Sequence, residues 1–305
     1  MGCDSISPTG IPNALTVDVE DYHNILARDW LERDFPPTEA VVRNTERLLD
    51  LFDQHRVSGT FFILGEVAEH YPTLIRRIAS AGHELGVHGY RHRQVFKLTP
   101  ELFRQEVARA KARIEDLIGG PIQGHRAPAF SILPETSWAF DVLLEAGFRY
   151  DSSIMPIKAR RYGWPGFNPN IQWMHLRGGD LIEAPLSFCS IGFRRLPACG
   201  GGYIRHFPAV FTRWAFRQVQ RHRPAILYMH PYEIELCGPK LDTTGLTHDA
   251  ARRARRFHRL QIRNRHTVLP KITALLEQFS FAPLARVIEA TLAAGPVSKA
   301  RAAKC

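Results

Sequence analysis

The sequence predicts an α/β fold, a barrel of parallel strands with helices outside, and three observations predict it. Short apolar runs alternate with stretches of helical periodicity several times along the chain, the pattern of a parallel sheet covered by helices. Polar clusters fall at the ends of those runs: Asp18 to Asp21, His88, Arg126, Asp151 and His230. In a β/α barrel the C-terminal rim of the strands is where loops assemble a site, so chemistry at five strand ends favours a barrel. Apolar residues make up 45% of 305 residues, enough for one large core with or without an appendage.

Each element has a local reason. Residues 14–19, Ala-Leu-Thr-Val-Asp-Val, read as a buried strand ending in acids. A helix follows over Thr38 to His55, where Val42, Thr45, Leu48, Leu49 and Phe52 share one face. Gly59 to Leu64 is a second strand, and Pro72 to Ala81 a helix ended by Gly82. Glu84 to His88 is a third strand. Thr99 caps a long helix with Pro100 at its first position, running to Ile118. Gly124 to Pro128 closes a fourth strand, Pro134 to Ala146 is a helix stopped by Gly147, and Phe148 to Asp151 is a short strand. Residues 156–180 break the rhythm and read as a Gly- and Pro-containing loop whose aromatics either line a cleft or pack the loop down. Leu181 to Pro185 is another strand end. Gly200-Gly-Gly202 implies unusual dihedrals or close backbone approach. Ala225 to Pro231 is the last core strand, and an amphipathic helix over Thr267 to Phe279 closes the domain.

Composition excludes several classes. No run approaches the ~20 apolar residues of a membrane span, and Met-Gly-Cys-Asp-Ser lacks the flank and apolar stretch of a signal peptide. Cys3, Cys189, Cys199, Cys237 and Cys305 form no CxxC pair. So sparse a set is not a disulfide scaffold and suits a reducing compartment, so the expected location is cytoplasmic. The net charge is +10, much of it in 251–265. That segment is either a solvated helix face or a surface for anionic lipid, nucleic acid or acidic polymer. No zinc finger, RNP motif or phosphate loop accompanies it, so no specific nucleic acid is expected.

The chemistry is most legible in His88-Gly-Tyr-Arg-His92. Two imidazoles four residues apart face one point if the chain turns helical after His88. An oxygen ligand is available in Val17-Asp-Val-Glu-Asp21. Such a set can hold a zinc-like ion with one face left to water, which points to a metal hydrolase. No Gly-x-Ser-x-Gly elbow offers a serine route.

Taken in order, these pieces resemble the polysaccharide deacetylases of NodB homology, carbohydrate esterase family 4. The first motif is met by Thr16 to Asp21, the second by His88 and His92, the third by Arg126-Ala-Pro-Ala129, and the fifth by Leu227-Tyr-Met-His230. The fourth is divided between Asp151-Ser-Ser and Leu181 to Pro185. One subgroup is closest: its members carry Val-Asp-Val-Glu-Asp-Tyr, Gly-Gly-Gly-Tyr, His-Pro-x-Glu and an arginine-rich extension. Here these are Val17 to Tyr22, Gly200 to Tyr203, His230 to Glu233 and 252–279. That subgroup resembles deacetylases encoded with exopolysaccharide and exosortase loci. The resemblance implies a deformed (β/α)7-type barrel over 12–235, a basic helical extension over 236–285 packed on it, and flexible tails at 1–11 and 292–305.

The same resemblance implies roles. Asp18 would be the general base, oriented by Arg126. His88, His92 and Glu20 would hold one divalent metal, zinc before cobalt, nickel or manganese, with Asp21 the alternative to Glu20. His230 would be the general acid, with Asp151 tuning it and Glu233 behind it. The backbone N–H of Ala129 would meet the oxyanion, Phe130 would stand where the family places an aromatic, and Glu183, Trp164 and Tyr203 would belong to the substrate pocket. The implied reaction is N-deacetylation of an N-acetylated sugar in a glycan or lipid-linked oligosaccharide, with peripheral contact to anionic membrane and the oligomeric state left open. The rivals are a small-molecule amidohydrolase on the same scaffold, a non-catalytic glycan-binding protein, and a nucleic-acid binder built on 251–265.

Overall fold

The computed structural model describes residues 10–159 and 162–295. Its first half follows the expected alternation. Strand β1 is Asn13–Val19, followed by helices α1 (Tyr22–Trp30) and α2 (Glu39–Gln54). Strand β2 (Thr60–Ile63) leads to α3 (Gly65–His70) and α4 (Pro72–Ser80), and β3 (Glu84–Val87) to α5 (Pro100–Ile118). Strand β4 (Gly124–His125), helix α6 (Trp138–Glu145) and strand β5 (Tyr150–Asp151) complete it. Thr99 caps α5 as expected, its hydroxyl accepting from Leu102 N; the Thr38 hydroxyl likewise accepts from Ala40 N, and Gly119 ends α5 in the left-handed region.

The second half is less regular. Strands β6 (Gln172–Leu176) and β7 (Gly179–Glu183) form an antiparallel pair, as do β8 (Phe188–Ile191) and β9 (Arg194–Pro197). Helices α7 (Gly201–His206) and α8 (Ala209–Gln220) precede strand β10 (Ile226–Met229). The chain ends with α9 (His248–Ile262), α10 (Val268–Gln278), β11 (Phe281–Ala282) and α11 (Leu284–Ala293).

Seven parallel strands run in the order β10-β1-β2-β3-β4-β5-β7, with β6 antiparallel on the outside and β11 beside the start of β1. Strands β7 and β10 do not pair. The segment after β7 spans the opening instead: Ser187 Oγ accepts from Ile226 N, and Tyr228 N donates to Cys199 O. This is the deformation of the barrel. Alternation along each strand separates two cores. Leu15, Val17 and Val19 face the helices, whereas Ala14, Phe62, Tyr150, Ile182, Ile226 and Tyr228 fill the inside. The same parity turns Thr16 and Asp18 inward, with Glu20 following beyond the strand end.

Two expectations are corrected. The loop at 156–180 contains strand β6, whose side chains are half exposed and carry no unbroken apolar run. Order reaches into the segments expected to be flexible, 1–11 and 292–305: Ile11 is buried in the inner core and α11 continues to Ala293. Residues 1–9 and 296–305 lie outside those described. At Gly200 the expected close approach is present, since a Cβ there would meet Tyr228 O at 2.4 Å.

Candidate metal centre and active site

The rim above β1, β3, β4 and β10 gathers the acids and imidazoles. Glu20 Oε2 lies 2.8 Å from His92 Nε2 and 3.5 Å from His88 Nε2. The three donor atoms lie within 4.8 Å of one another. The segment between the histidines is not the helix that their spacing suggested. Gly89 and His92 take left-handed backbone (φ 75° and 55°), so the chain doubles back at the strand end and brings both rings to one side. At Gly89 a Cβ would also press on Pro128.

The donors fit a divalent cation. His88 donates Nδ1–H to Arg126 O at 2.9 Å, which fixes the tautomer and leaves the Nε2 lone pair facing Glu20. Glu20 Oε2 is buried yet has no hydrogen bond of acceptable geometry. Burial opposes ionisation of Glu20, but the pull of His92 and His230 outweighs it and holds the carboxyl well below its ordinary range. An ionised carboxylate and two imidazole nitrogens at one point are the ligand chemistry of a zinc-type site. Asp21, the alternative ligand, is held elsewhere: its oxygens cap α1 at His23 N and accept from Thr38 N.

Asp18 sits beside this cluster, fully buried. Its Oδ1 accepts from Arg126 Nη1 at 2.8 Å, and the same nitrogen reaches Thr16 Oγ1 at 2.8 Å. Arg126 is itself locked, donating to Ser152 O and Oγ at 3.0 Å each and stacking 4.3 Å from the Phe62 centroid. Across the rim, His230 Nε2 is 3.9 Å from Asp18 Oδ2 and 3.6 Å from Glu20 Oε1. Burial would lower its pKa, but Glu20 and Glu233 lift it to about 9. Glu233 Oε2 lies 3.4 Å from His230 Nδ1 and accepts from His230 N. Behind it, Arg205 Nε is 3.4 Å from Glu233 Oε1, and Arg205 also donates to Gln261.

The remaining expected residues divide. Ala129 and Phe130 stand on the rim in left-handed backbone (φ 54° and 53°) and line the cleft, as does Tyr203. Asp151 does not reach His230. It accepts from the buried His125 Nδ1 at 2.6 Å and from Ser153, because the β5 end points it under the rim. Glu233 occupies the position expected of Asp151. Glu183 is also beneath the cleft, accepting from Ile154 N, with burial and Asp151 raising its pKa well above normal. Trp164 turns away and packs on Phe140 and Phe167, while its neighbour Tyr162 lines the cleft and bonds the Tyr203 hydroxyl. The sequence reading also missed Trp30, Phe96 and Phe257, which complete an aromatic wall around a cleft of about 970 Å³. The positions of Trp30 and Phe257 depend on α1 and α9 packing together, where the two rings stack at 4.4 Å, and no local signal reveals that.

Residues 34–150 match the family model described as polysaccharide deacetylase, and 152–289 match a domain of unknown function, DUF3473. Among curated proteins, the peptidoglycan deacetylase of Helicobacter pylori is 30% identical over 224 residues, 62% of this chain and 75% of that protein. The peptidoglycan-N-acetylglucosamine deacetylase of Bacillus cereus is 35% identical over 96 residues, 31% of this chain and 35% of that protein. The chitooligosaccharide deacetylase of a Bradyrhizobium species is 32% identical over 99 residues, 32% of this chain and 43% of that protein. The chain therefore spans less than half the length of these last two. Among solved structures, a polysaccharide deacetylase from Mycobacterium smegmatis superposes with a TM-score of 0.57 at 21% identity, covering 96% of each chain. The Puue allantoinase superposes at 0.60 with 15% identity, covering 96% of this chain and 98% of that one. At these identities the two structures establish the fold alone.

Proposed function

We propose a function from one premise: the chain belongs to the polysaccharide deacetylases of NodB homology, carbohydrate esterase family 4. The proposal is metal-dependent hydrolytic N-deacetylation of an N-acetylated sugar within a glycan or a lipid-linked oligosaccharide, releasing acetate. The observation that carries it is the convergence of Glu20, His88 and His92 beside an Asp18 held by Arg126, with His230 opposite.

A divalent cation held by Glu20, His88 and His92, zinc before cobalt, nickel or manganese, would supply Lewis acidity and lower the pKa of a coordinated water toward ~7. Asp18 takes the proton from the attacking water, its carboxylate kept in place by the Arg126 fork. The water oxygen adds to the acetyl carbonyl carbon. The N–H of Ala129, turned to the rim by its left-handed backbone, is a donor for the oxygen that becomes negative. His230, its imidazolium favoured by Glu233, gives a proton to the sugar nitrogen as the C–N bond breaks. Amine and acetate leave, and no covalent intermediate with the chain is required.

The cleft supports an oligosaccharide rather than a small cyclic amide. Its volume of about 970 Å³ and its aromatic wall suit stacked sugar rings. The Val17 to Tyr22, Gly200 to Tyr203 and His230 to Glu233 signatures support placement in the exopolysaccharide subgroup, acting in the cytoplasm at the membrane periphery. The test is acetate release from a panel of N-acetylated glycans with zinc, with cobalt, or after chelation. Wild type should release acetate only with metal, and Asp18→Asn should bind metal yet release none. Equal activity of the two proteins would remove Asp18 as the base.

A further inference from the structure

We propose that the β8–β9 hairpin and helix α8 form a docking face for an anionic phospholipid bilayer, and that this face sets the catalytic cleft against the lipid surface. The face starts at the hairpin tip. Gly192 and Phe193 make its two-residue turn, with Gly192 left-handed (φ 56°). Such turns favour glycine, asparagine and aspartate. Here the tip carries a fully exposed phenylalanine, with Ile191 beside it also exposed. Phe193 makes no core contact, so the fold gains nothing from it.

Helix α8 extends the patch. Val210, Trp214 and Gln218 share one stripe at helical spacing, and Val210 and Trp214 are 68% and 42% exposed. Gln218 clamps the hairpin onto that stripe, accepting from Ser190 N and donating to Ser190 O. The exposed apolar side chains thus lie on one rigid unit.

The charge around them selects the occupant. Residues 184–232 contain seven arginines and no aspartate or glutamate. The guanidinium groups of Arg194, Arg213, Arg217 and Arg221 have no hydrogen-bond or ion-pair partner among the described residues. Apolar tips projecting from unpaired arginines suit the interface of an anionic bilayer, where rings enter the headgroup layer and guanidinium groups meet phosphate. Two copies of this face would repel each other. A soluble polyanion would engage the arginines but leave Phe193 and Ile191 without a role.

The patch is also joined to the cleft. An aromatic ridge runs from Trp214 through Phe211 and Phe207 to Tyr203, with centroid separations of 5.4, 4.6 and 6.2 Å, and Tyr203 lines the cleft. Docking therefore offers the cleft to glycan carried at the lipid surface. That last step rests on the proposed deacetylation, whereas the docking itself does not.

Co-sedimentation of the full chain with phosphatidylcholine vesicles, with and without phosphatidylglycerol, tests the proposal. Wild type should partition onto the anionic vesicles and lose them as salt rises. Phe193→Ser should weaken partitioning about tenfold. The triple variant Arg213→Gln, Arg217→Gln, Arg221→Gln should weaken it about a hundredfold. Both should keep wild-type thermal melting and acetate release from a soluble substrate, and Asp18→Asn should bind vesicles like wild type. Unchanged partitioning of the variants overturns the proposal. So does a wild-type dimer in light scattering that Phe193→Ser dissociates, or binding to dextran sulfate without binding to vesicles.

Discussion

Replacing Arg126 with methionine should separate the support of the site from its chemistry. The side chain is fully buried and makes four hydrogen bonds, to Thr16 Oγ1, Asp18 Oδ1, Ser152 O and Ser152 Oγ. Methionine keeps most of the volume and the contact with Phe62 but donates nothing. Removing one partner of a buried ion pair costs about 3–5 kcal/mol, because the remaining charge stays desolvated. At about 2–4 °C per kcal/mol for a domain near this size, the melting temperature should fall by roughly 6–20 °C. Asp18→Asn in the same chain removes the uncompensated charge, so the double variant should recover at least about 1 kcal/mol relative to the sum of the single changes. The guanidinium does not touch Glu20, His88 or His92, and the Arg126 carbonyl that orients His88 is retained. Metal content should therefore hold while the rate falls about 10²- to 10⁴-fold, the range of lost general-base catalysis. Thermal and urea melts of the four proteins, elemental analysis and acetate-release rates measure the three effects. An Arg126→Met protein within 1 kcal/mol of wild type, or strict additivity with Asp18→Asn, would refute the reasoning.

Two further outcomes follow from the same geometry. Glu20→Gln keeps the shape but removes the anionic oxygen that faces both imidazoles. Bound metal should fall at least about tenfold on elemental analysis, and undiminished metal would take Glu20 out of the ligand set. His83 is buried against Phe61, its pKa is lowered to about 4 by burial, and its Nδ1 accepts from Gly59 N. The folded state binds this proton less readily than the unfolded chain, so stability is intact above pH ~6.5 and is lost as pH falls toward 4. The loss should reach about 2 kcal/mol after allowance for solvent screening. His83→Asn keeps an acceptor near the Nδ1 position, so its stability should decline less between pH 6.5 and 4. Parallel acid curves for the two proteins would count against His83 as the source.

In the first 151 residues the strands and helices α2, α4, α5 and α6 are legible because each local signal agrees with its neighbour, whereas α1 and α3 escape the sequence reading. Thr99 caps α5, Gly82 follows the end of α4 in left-handed backbone, and β1 and β2 carry apolar runs that stay buried on both faces. The metal ligands were legible for a similar reason, since motif spacing survives even where the backbone differs from the helix that the spacing suggests. What the sequence hid is what tertiary packing decides. Strand β6 has half-exposed side chains and shows no apolar pattern. Asp151 and Trp164 sit in the right segments, but their directions depend on how β5 and the 156–167 loop meet the barrel. Glu233 stands out in the sequence only as part of the His230-Pro-Tyr-Glu233 motif. That it faces His230 Nδ1 follows from the short turn after β10, which folds the carboxylate back onto its own cap residue.

The site also joins the two segments that the family models divide. His88, His92 and Arg126 lie within 34–150, whereas His230, Glu233, Arg205 and Tyr203 lie within 152–289. The sheet ignores that division as well. Strand β7 pairs with β5, whose Tyr150 ends the first segment, while β10 and β11 both pair with β1, which precedes both segments. Beyond β11, Leu284 N donates to Thr60 Oγ1 and Ala285 N to Glu84 Oε2, tying the C-terminal helix to β2 and β3. On the rim, Gln261 at the end of α9 accepts from the arginine that backs Glu233. The basic helix is therefore tied, through Arg205 and Glu233, to the imidazole opposite Asp18. The arginines of its outer face are exposed, while its inner face, through Phe257 and Gln261, helps shape the cleft.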